Sequence, residues 1–128
     1  MNDFFVEKTF STPQVNLLPS EGTLQIEGRS IPEDPVEFYL RIIEKMEEYF
    51  LNPQTLTRID IRLEYVNSGS SKYLLELLRA VKVHYDQGKD CLVTWHYEED
   101  DESIHELGQH YQSTIKIPIE LINDNSVR

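Results

Sequence analysis

The sequence has one cysteine and no long apolar run, and these two shortages argue against a disulfide-stabilised protein and a membrane-spanning protein. Cys91 is the one cysteine in 128 residues, so an internal disulfide is impossible and a reducing compartment is expected. No apolar run approaches the roughly 20 residues that span a bilayer, and Met1–Phe5 lacks the basic stretch of a signal peptide. We therefore expect a cytoplasmic protein with no membrane insertion.

Basic residues are also scarce: 12 of them face 23 acidic ones, which gives a formal net charge of −11. Nucleic acid and anionic lipid would both repel such a chain, so no nucleic-acid partner is expected. A protein partner with a basic face is the natural complement. The length and the 39% of apolar residues suit one globular domain covering residues 1–128.

The common motifs of catalysis and metal binding are missing as well. Neither a G-x-x-x-x-G-K-[ST] loop nor a G-x-G-x-x-G loop occurs, and Asn67–Ser70 does not match a G-x-S-x-G elbow. His105 and His110 would point about 140° apart on a helix, whereas metal-binding pairs lie three or four residues apart. The acidic run Glu98–Glu102 lacks the alternating ligands of a calcium loop and is more typical of a solvated or docking surface. No enzyme activity, metal or cofactor is expected.

Hydrophobic periodicity predicts the element order ββαβαβαβ. Helices are expected to begin at Asp34, near Lys72 and at Ser103, and the ends 1–14 and 123–128 to be only partly ordered. The predicted strands are Val15–Leu18, Thr23–Glu27, Leu56–Val66, Cys91–Tyr97 and Thr114–Leu121.

The first helix has a clear start, a clear stop and an apolar stripe. Asp34–Glu37 combines a cap, a proline at the first helical position and a carboxylate that completes a capping box, and Asn52–Pro53 ends the helix. A stripe at spacings of three and four predicts a core-facing helix, while a partner groove is the less common reading. The stripe consists of Val36, Leu40, Ile43, Met46 and Phe50.

The strand Leu56–Val66 predicts a sheet with one buried and one solvated face. Its apolar residues Ile59, Ile61, Leu63 and Tyr65 alternate with the charged Arg58, Asp60, Arg62 and Glu64. Helices should gather on the buried face, which makes an α/β fold with a single mixed sheet and helices on one face. The core expected under them consists of Ile59, Ile61, Leu63, Val93, Trp95, Ile117 and Ile119.

A polar turn, Tyr65–Lys72, joins this strand to the next helix. Asn67 and Gly69 tolerate positive φ, and Ser70 or Ser71 can cap the helix. The turn is either a simple cap or a phosphorylation site, because a phosphate there meets free N–H groups and the positive end of the helix dipole. A third reading is an anion- or small-ligand-binding domain or small enzyme, which would place a pocket lined by His or Arg beside the turn.

Five stretches, taken in their order and spacing, resemble the SiaC-type regulatory phosphoproteins of bacteria. These proteins look like STAS domains, the fold of anti-sigma factor antagonists. The family usually has Tyr at position 31, Thr at 68 and Ser at 69, where this chain has Ile, Ser and Gly. The stretches are Ser11–Pro13, Gly28–Glu33, Leu63–Ser68 with Lys72, Trp95–Asp101 and Glu106–Gly108.

The resemblance implies a STAS-like signalling protein that has no catalytic activity of its own. A dedicated protein kinase would phosphorylate it and a PP2C-type phosphatase would reverse the modification. The unphosphorylated form would bind and activate a diguanylate cyclase, and so control cyclic di-GMP by partner switching. The acceptor position matches Ser68, and Ser70 and Ser71 are close enough to be alternative acceptors. The expected partner interface consists of Tyr65, Asn67, Ser68, Gly69, Ser70, Ser71 and Lys72.

Overall fold

The computed structural model describes residues 1–124, and it adds one strand to the predicted order. No helix in this range is long and apolar enough to cross a membrane. The elements are β1 (Phe4–Val6), β2 (Gln14–Leu18), β3 (Thr23–Ser30), α1 (Pro35–Tyr49), β4 (Leu56–Val66), α2 (Ser68–Asp86), β5 (Asp90–Tyr97), α3 (Glu102–Thr114) and β6 (Ile119–Asn123).

The six strands form one mixed sheet in which spatial order follows chain order. The pairs β1–β2 and β2–β3 are antiparallel, and β3–β4, β4–β5 and β5–β6 are parallel. Parallel crossovers are almost always right-handed, so three successive crossovers in one direction place α1, α2 and α3 on the same face. The predicted mixed α/β sheet with helices on one face is therefore confirmed.

The sheet face under the helices is apolar, as the alternation predicts. Arg58 and Arg62 are exposed on the opposite, open face, and Asp60 is partly exposed there. The expected core residues are all buried: Ile59, Ile61, Leu63, Val93, Trp95, Ile117 and Ile119.

Helix α3 packs unusually close to the sheet at Trp95. The indole Nε1 donates a hydrogen bond of 2.9 Å to the carbonyl of Ile104. A Cβ on Gly108 would lie 2.4 Å from Cδ1 of Trp95, so only glycine permits this approach.

The predicted orientation of Tyr65 is wrong, because a bulge interrupts the alternation of β4. Gly28 pairs with Leu63, but the next residue, Arg29, pairs with Tyr65 and skips Glu64. Since an extra residue in one strand reverses the alternation beyond it, Tyr65 turns to the open face and is 48% exposed.

The predicted apolar stripe of α1 is also wrong in its first half. Val36 and Leu40 are exposed, whereas the buried positions are Tyr39, Ile42, Met46 and Tyr49. The two tyrosines can turn inward because each hydroxyl has a buried partner, Ser30 for Tyr39 and Thr57 for Tyr49.

The N-terminal segment contains a strand that the sequence pattern did not predict. Phe4–Val6 forms β1, and Phe4 is buried. At the other end, α3 continues to Thr114 and β6 starts only at Ile119, after Pro118, so the predicted strand start at Thr114 is wrong. Asp101 caps α3 instead of Ser103. Residues 125–128 of the predicted tail lie outside the described residues.

Candidate functional site

The polar turn forms the first turn of α2, with Asn67 as its cap. The side-chain oxygen of Asn67 accepts a hydrogen bond of 2.8 Å from the Ser70 N–H, and its own N–H donates to the Ser30 carbonyl at 3.1 Å. The expectation that Ser70 or Ser71 caps the helix is therefore wrong. Asn67 has φ −81° and Gly69 lies inside the helix, so neither residue uses positive φ.

Ser70 is fully buried, with 0% of its surface exposed. Its Oγ accepts a 2.9 Å hydrogen bond from Ser30, and the Ser30 Oγ lies 2.5 Å from the Tyr39 hydroxyl, which must then be the donor. Burial raises the pKa of Tyr39 to about 12, so the phenol keeps its proton at neutral pH. In the folded chain Ser70 therefore presents no accessible hydroxyl to a partner or a kinase.

Ser71 is half-buried, and its hydroxyl and its carbonyl are both hydrogen-bonded. Its Oγ donates a 2.9 Å hydrogen bond to the carbonyl of Ser68, and its own carbonyl accepts one of 2.5 Å from the Tyr111 hydroxyl of α3. Ser68 is exposed, and its hydroxyl has no hydrogen-bond partner within the described chain. Of the three serines, Ser68 alone presents an unengaged hydroxyl to solvent.

Helix α1 runs parallel to α2 and brings an apolar surface beside this turn. At their N-termini, a Cβ on Gly69 would lie 3.3 Å from Cγ of Pro35. At their C-termini, the His84 ring stacks on Phe50 with centroids 4.1 Å apart, and its Nε2 lies 2.8 Å from a Glu47 carboxylate oxygen. Val36, the residue after Pro35, and Leu40, about one helical turn further along α1, are both exposed.

Lys72 lies one helical turn after Ser68 on the exposed side of α2. Its Nζ is 5.6 Å from the centroid of the Tyr73 ring, and no carboxylate among residues 1–124 forms an ion pair with it. Other cations of α2 do have carboxylate partners, such as Lys82 with Asp86 at 2.5 Å. Lys72 is thus available to an external anion.

Tyr65, the first residue of the predicted interface, belongs to a different surface. The Arg29 guanidinium lies 4.9 Å from the Phe10 ring centroid and 5.9 Å from the Tyr65 ring centroid. These three residues form a cation–π cluster at the open face, whereas Ser68 and Lys72 lie on the helix side of the sheet. The bulge in β4 therefore divides the predicted interface between two faces.

The sequence model of the family described as SiaC family regulatory phosphoprotein matches residues 6–124 of this chain. The chain belongs to the SiaC family. It is 27% identical over 118 residues to an uncharacterized protein of Pseudomonas aeruginosa strain UCBPP-PA14, covering 92% of this chain and 94% of that protein.

Solved SiaC structures share the whole fold. SiaC of Pseudomonas aeruginosa superposes with a TM-score of 0.88 at 25% identity, over 96% of this chain and 99% of that one. A second similar structure is the diguanylate cyclase SiaD in complex with its activator SiaC from Pseudomonas aeruginosa, with a TM-score of 0.86 and 26% identity, over 93% and 98% of the two chains.

This SiaC-family chain carries a second polar region, which its sequence does not indicate because His96 is the one histidine of β5. The His96 ring lies between two carboxylates, with Nε2 2.7 Å from Asp60 and Nδ1 2.8 Å from Asp124. Arg62 lies 3.2 Å from Nδ1, and Thr94 donates a 2.6 Å hydrogen bond to Asp60. Only the register of β4 against β5 could have revealed this, because the residues are distant in sequence.

The His96 cluster borders a cavity of about 630 Å³ on the open face. Half of its ten lining residues are acidic, and Ser68 is not among them. Two other cavities, of about 190 and 410 Å³, are also lined by residues outside Ser68–Lys72. The pocket beside the turn that would mark a small-ligand site is thus not among these three. Within the described part of the chain, no three His, Cys, Asp or Glu side chains converge to hold a metal.

Proposed function

We propose that this protein is a phosphorylation-controlled regulator that has no enzymatic activity, acts in the cytoplasm and takes a diguanylate cyclase as its target. Ser68 is the phosphoacceptor in this proposal. The supporting observation is that the Ser68 hydroxyl is exposed and unengaged, while Ser70 and Ser71 are held by hydrogen bonds. Membership of a family of regulatory phosphoproteins, and the solved complex of a similar SiaC with a cyclase, agree with it.

The phosphorylation state would be set by a protein kinase and a PP2C-type phosphatase. A kinase needs an accessible hydroxyl, and Ser68 provides one at the start of α2. The added phosphate would be stabilised within this chain, because it faces the free N–H groups and the positive dipole end of a helix. Modification therefore requires no unfolding of the turn.

Phosphate changes partner binding through charge and hydration. It adds about −1.5 to −2 charges at pH 7 and three strong acceptor oxygens. If the target covers Ser68, this dianion must lose water or face a carboxylate of the target, and either effect weakens binding. A change of about 3 kcal/mol lowers affinity more than 100-fold. The buried bonds beneath the turn keep the fold the same in both states.

The test uses the purified cyclase of the same cell and two variants at one position. Ser68→Ala keeps the surface neutral and should bind like the wild type, whereas Ser68→Asp should bind at least about 10-fold more weakly. Ser103→Asp is the matched control, because it adds the same charge to the first turn of α3, at an exposed serine. We expect Ser103→Asp to leave the affinity unchanged.

Phosphorylation by the cognate kinase is the second readout. The kinase should label the wild type and Ser71→Ala but not Ser68→Ala. Label on Ser68→Ala would move the acceptor to another residue, with Ser71 the next candidate. Equal cyclase affinity for Ser68→Ala, Ser68→Asp and the phosphorylated wild type would exclude the switch.

A further inference from the structure

We propose that the cyclase docks on the surface formed by Val36, Leu40, Ser68 and Lys72, here called the α1–α2 groove. The docked segment of the target presents apolar side chains to Val36 and Leu40 and a carboxylate to Lys72. This proposal rests on the proposed function and adds the chemistry of the target surface. It also explains how a phosphate on Ser68 interrupts the contact.

Two exposed aliphatic side chains supply the apolar part of the groove. Val36 is 44% exposed and Leu40 is 48% exposed, and their spacing of four places them on the same side of α1. Ile43, half-buried, and Glu47 continue this row, and Glu47 contacts His84 of α2. The row therefore borders α2, and its first turn adjoins the first turn of α2 through Pro35 and Gly69.

Lys72 gives the groove a positive charge with no carboxylate partner among the described residues, although the whole chain carries −11. On α1, the carboxylates of Asp34 and Glu37 line the cavity beside β1, on the other side of the helix. On α2, Glu76 is paired with Arg79 at 3.7 Å, while Lys72 has no carboxylate partner among the described residues. An apolar surface bearing a carboxylate is the electrostatic complement here, instead of the basic partner that the net charge suggests.

Phosphorylation of Ser68 places a dianion one helical turn before Lys72. Residues at this spacing are neighbours on a helix surface, and the orientation with the anion N-terminal to the lysine is the favourable one. The phosphate therefore competes with the carboxylate of the target for the Lys72 ammonium. Modification both adds a charge that must be desolvated and withdraws the cation that the target needs.

A double-mutant cycle tests the role of Lys72 in target binding. The cyclase is titrated with wild type, Ser68→Asp, Lys72→Gln and the double variant, with Lys82→Gln as the control on the same helix. Lys72→Gln should weaken binding about 10-fold, and Ser68→Asp should then add less than about 3-fold. Equal effects of Ser68→Asp in both backgrounds would refute the coupling to Lys72.

The apolar half of the groove has its own matched control. Val36→Ser and Leu40→Ser should each weaken cyclase binding about 10-fold, since each replaces apolar side-chain surface that the docked target would bury with a polar hydroxyl. Leu51→Ser removes an aliphatic side chain that is 85% exposed beyond the C-terminal end of α1, and it should bind like the wild type. Unchanged affinity for both groove variants would refute the groove as the docking surface.

A measurement without the cyclase separates this inference from the proposed function. Phosphorus-31 NMR of the protein phosphorylated at Ser68 should show a phosphate pKa about 0.3 lower in the wild type than in Lys72→Gln, as expected for one favourable helix pair. Identical titrations would refute the phosphate–Lys72 pair, even if phosphorylation abolishes cyclase binding. Undiminished cyclase binding by the phosphorylated wild type would instead refute the proposed function.

Discussion

The first turn of α2 and the cluster around His96 lie on opposite sides of the sheet and use their polar groups in opposite ways. Around His96, the histidine, aspartate and arginine side chains contact one another, so their polar groups are already paired within the protein. At the start of α2, Ser70 is hydrogen-bonded beneath the surface, whereas the Ser68 hydroxyl has no hydrogen-bond partner and Lys72 has no ion pair among the described residues. Exposed polar groups that have no partner within the protein, and that lie above a buried layer of hydrogen bonds, therefore indicate a binding surface better than the presence of reactive residue types does.

The hydrogen bonds beneath Ser68 join the first turn of α2 to three other elements. Ser30 of β3 and Tyr39 of α1 form a hydrogen-bonded chain to Ser70, and Tyr111 of α3 holds the carbonyl of Ser71. Burial also raises the pKa of Tyr111, so this phenol too remains a neutral donor. A phosphate or partner that acts at Ser68 therefore meets a surface whose position is set by the core.

The largest expected effect is the difference in the free energy of unfolding between Ser70→Asp and Ser68→Asp, which place the same charge two residues apart on α2. Ser70→Asp buries a carboxylate against Ser30 and Tyr39 and should lower the free energy of unfolding by about 3–5 kcal/mol. Ser68→Asp lies in solvent at the positive end of the helix and should change it by less than about 1 kcal/mol, towards stabilisation. Urea melts of the two variants measure the difference. Similar losses would mean that the two serines are equally buried.

A slightly smaller effect tests the division between the two sheet faces. Ile61→Ala creates a cavity under the helices and should cost about 2–5 kcal/mol. Arg58→Ala, on the open face, should stay within about 0.5 kcal/mol of the wild type. A loss below 1 kcal/mol for Ile61→Ala in denaturant melts would contradict the packing of this face.

Substitution within the His96 cluster should alter stability but leave the target unaffected. His96→Gln removes hydrogen bonds to two carboxylates, Asp60 and Asp124, and should cost about 1–3 kcal/mol. Cyclase affinity, measured by titration, should equal that of the wild type because the cluster lies on the other sheet face. Weakened cyclase binding by a folded His96→Gln protein would place the target on the open face instead.

The smallest effect at neutral pH is expected for Tyr39→Phe, which removes the donor to Ser30 and should cost about 1 kcal/mol. The folded-state pKa of Tyr39 is about 12, against 10.0 for a free tyrosine. Its contribution is therefore fully present below pH 10 and is lost as the pH rises from 10 to 12. Between pH 8 and pH 11, the free energy of unfolding should fall less in Tyr39→Phe than in the wild type. An identical slope would mean that Tyr39 ionises normally.

Local patterns in the sequence determined much of this fold. The alternation from Ile59 to Leu63 identified strand β4 and its buried face, and Asp34 with Pro35 marked the start of α1. These predictions succeeded because backbone preference and side-chain periodicity act over a few neighbouring residues. The motifs that resemble the SiaC family, including Leu63–Ser68, are likewise contiguous and could be read without a structure.

Only the tertiary structure decided which groups the surface offers. Ser68 and Ser70 are equally polar in sequence, but Ser30 and Tyr39 bury Ser70 from elements up to 40 residues away. The exposure of Val36, the reversal of Tyr65 and the pairing of His96 with Asp60 depend in the same way on packing, on a bulge and on strand register. Each is a relation between segments distant in the chain, and periodicity within one segment carries no information about it.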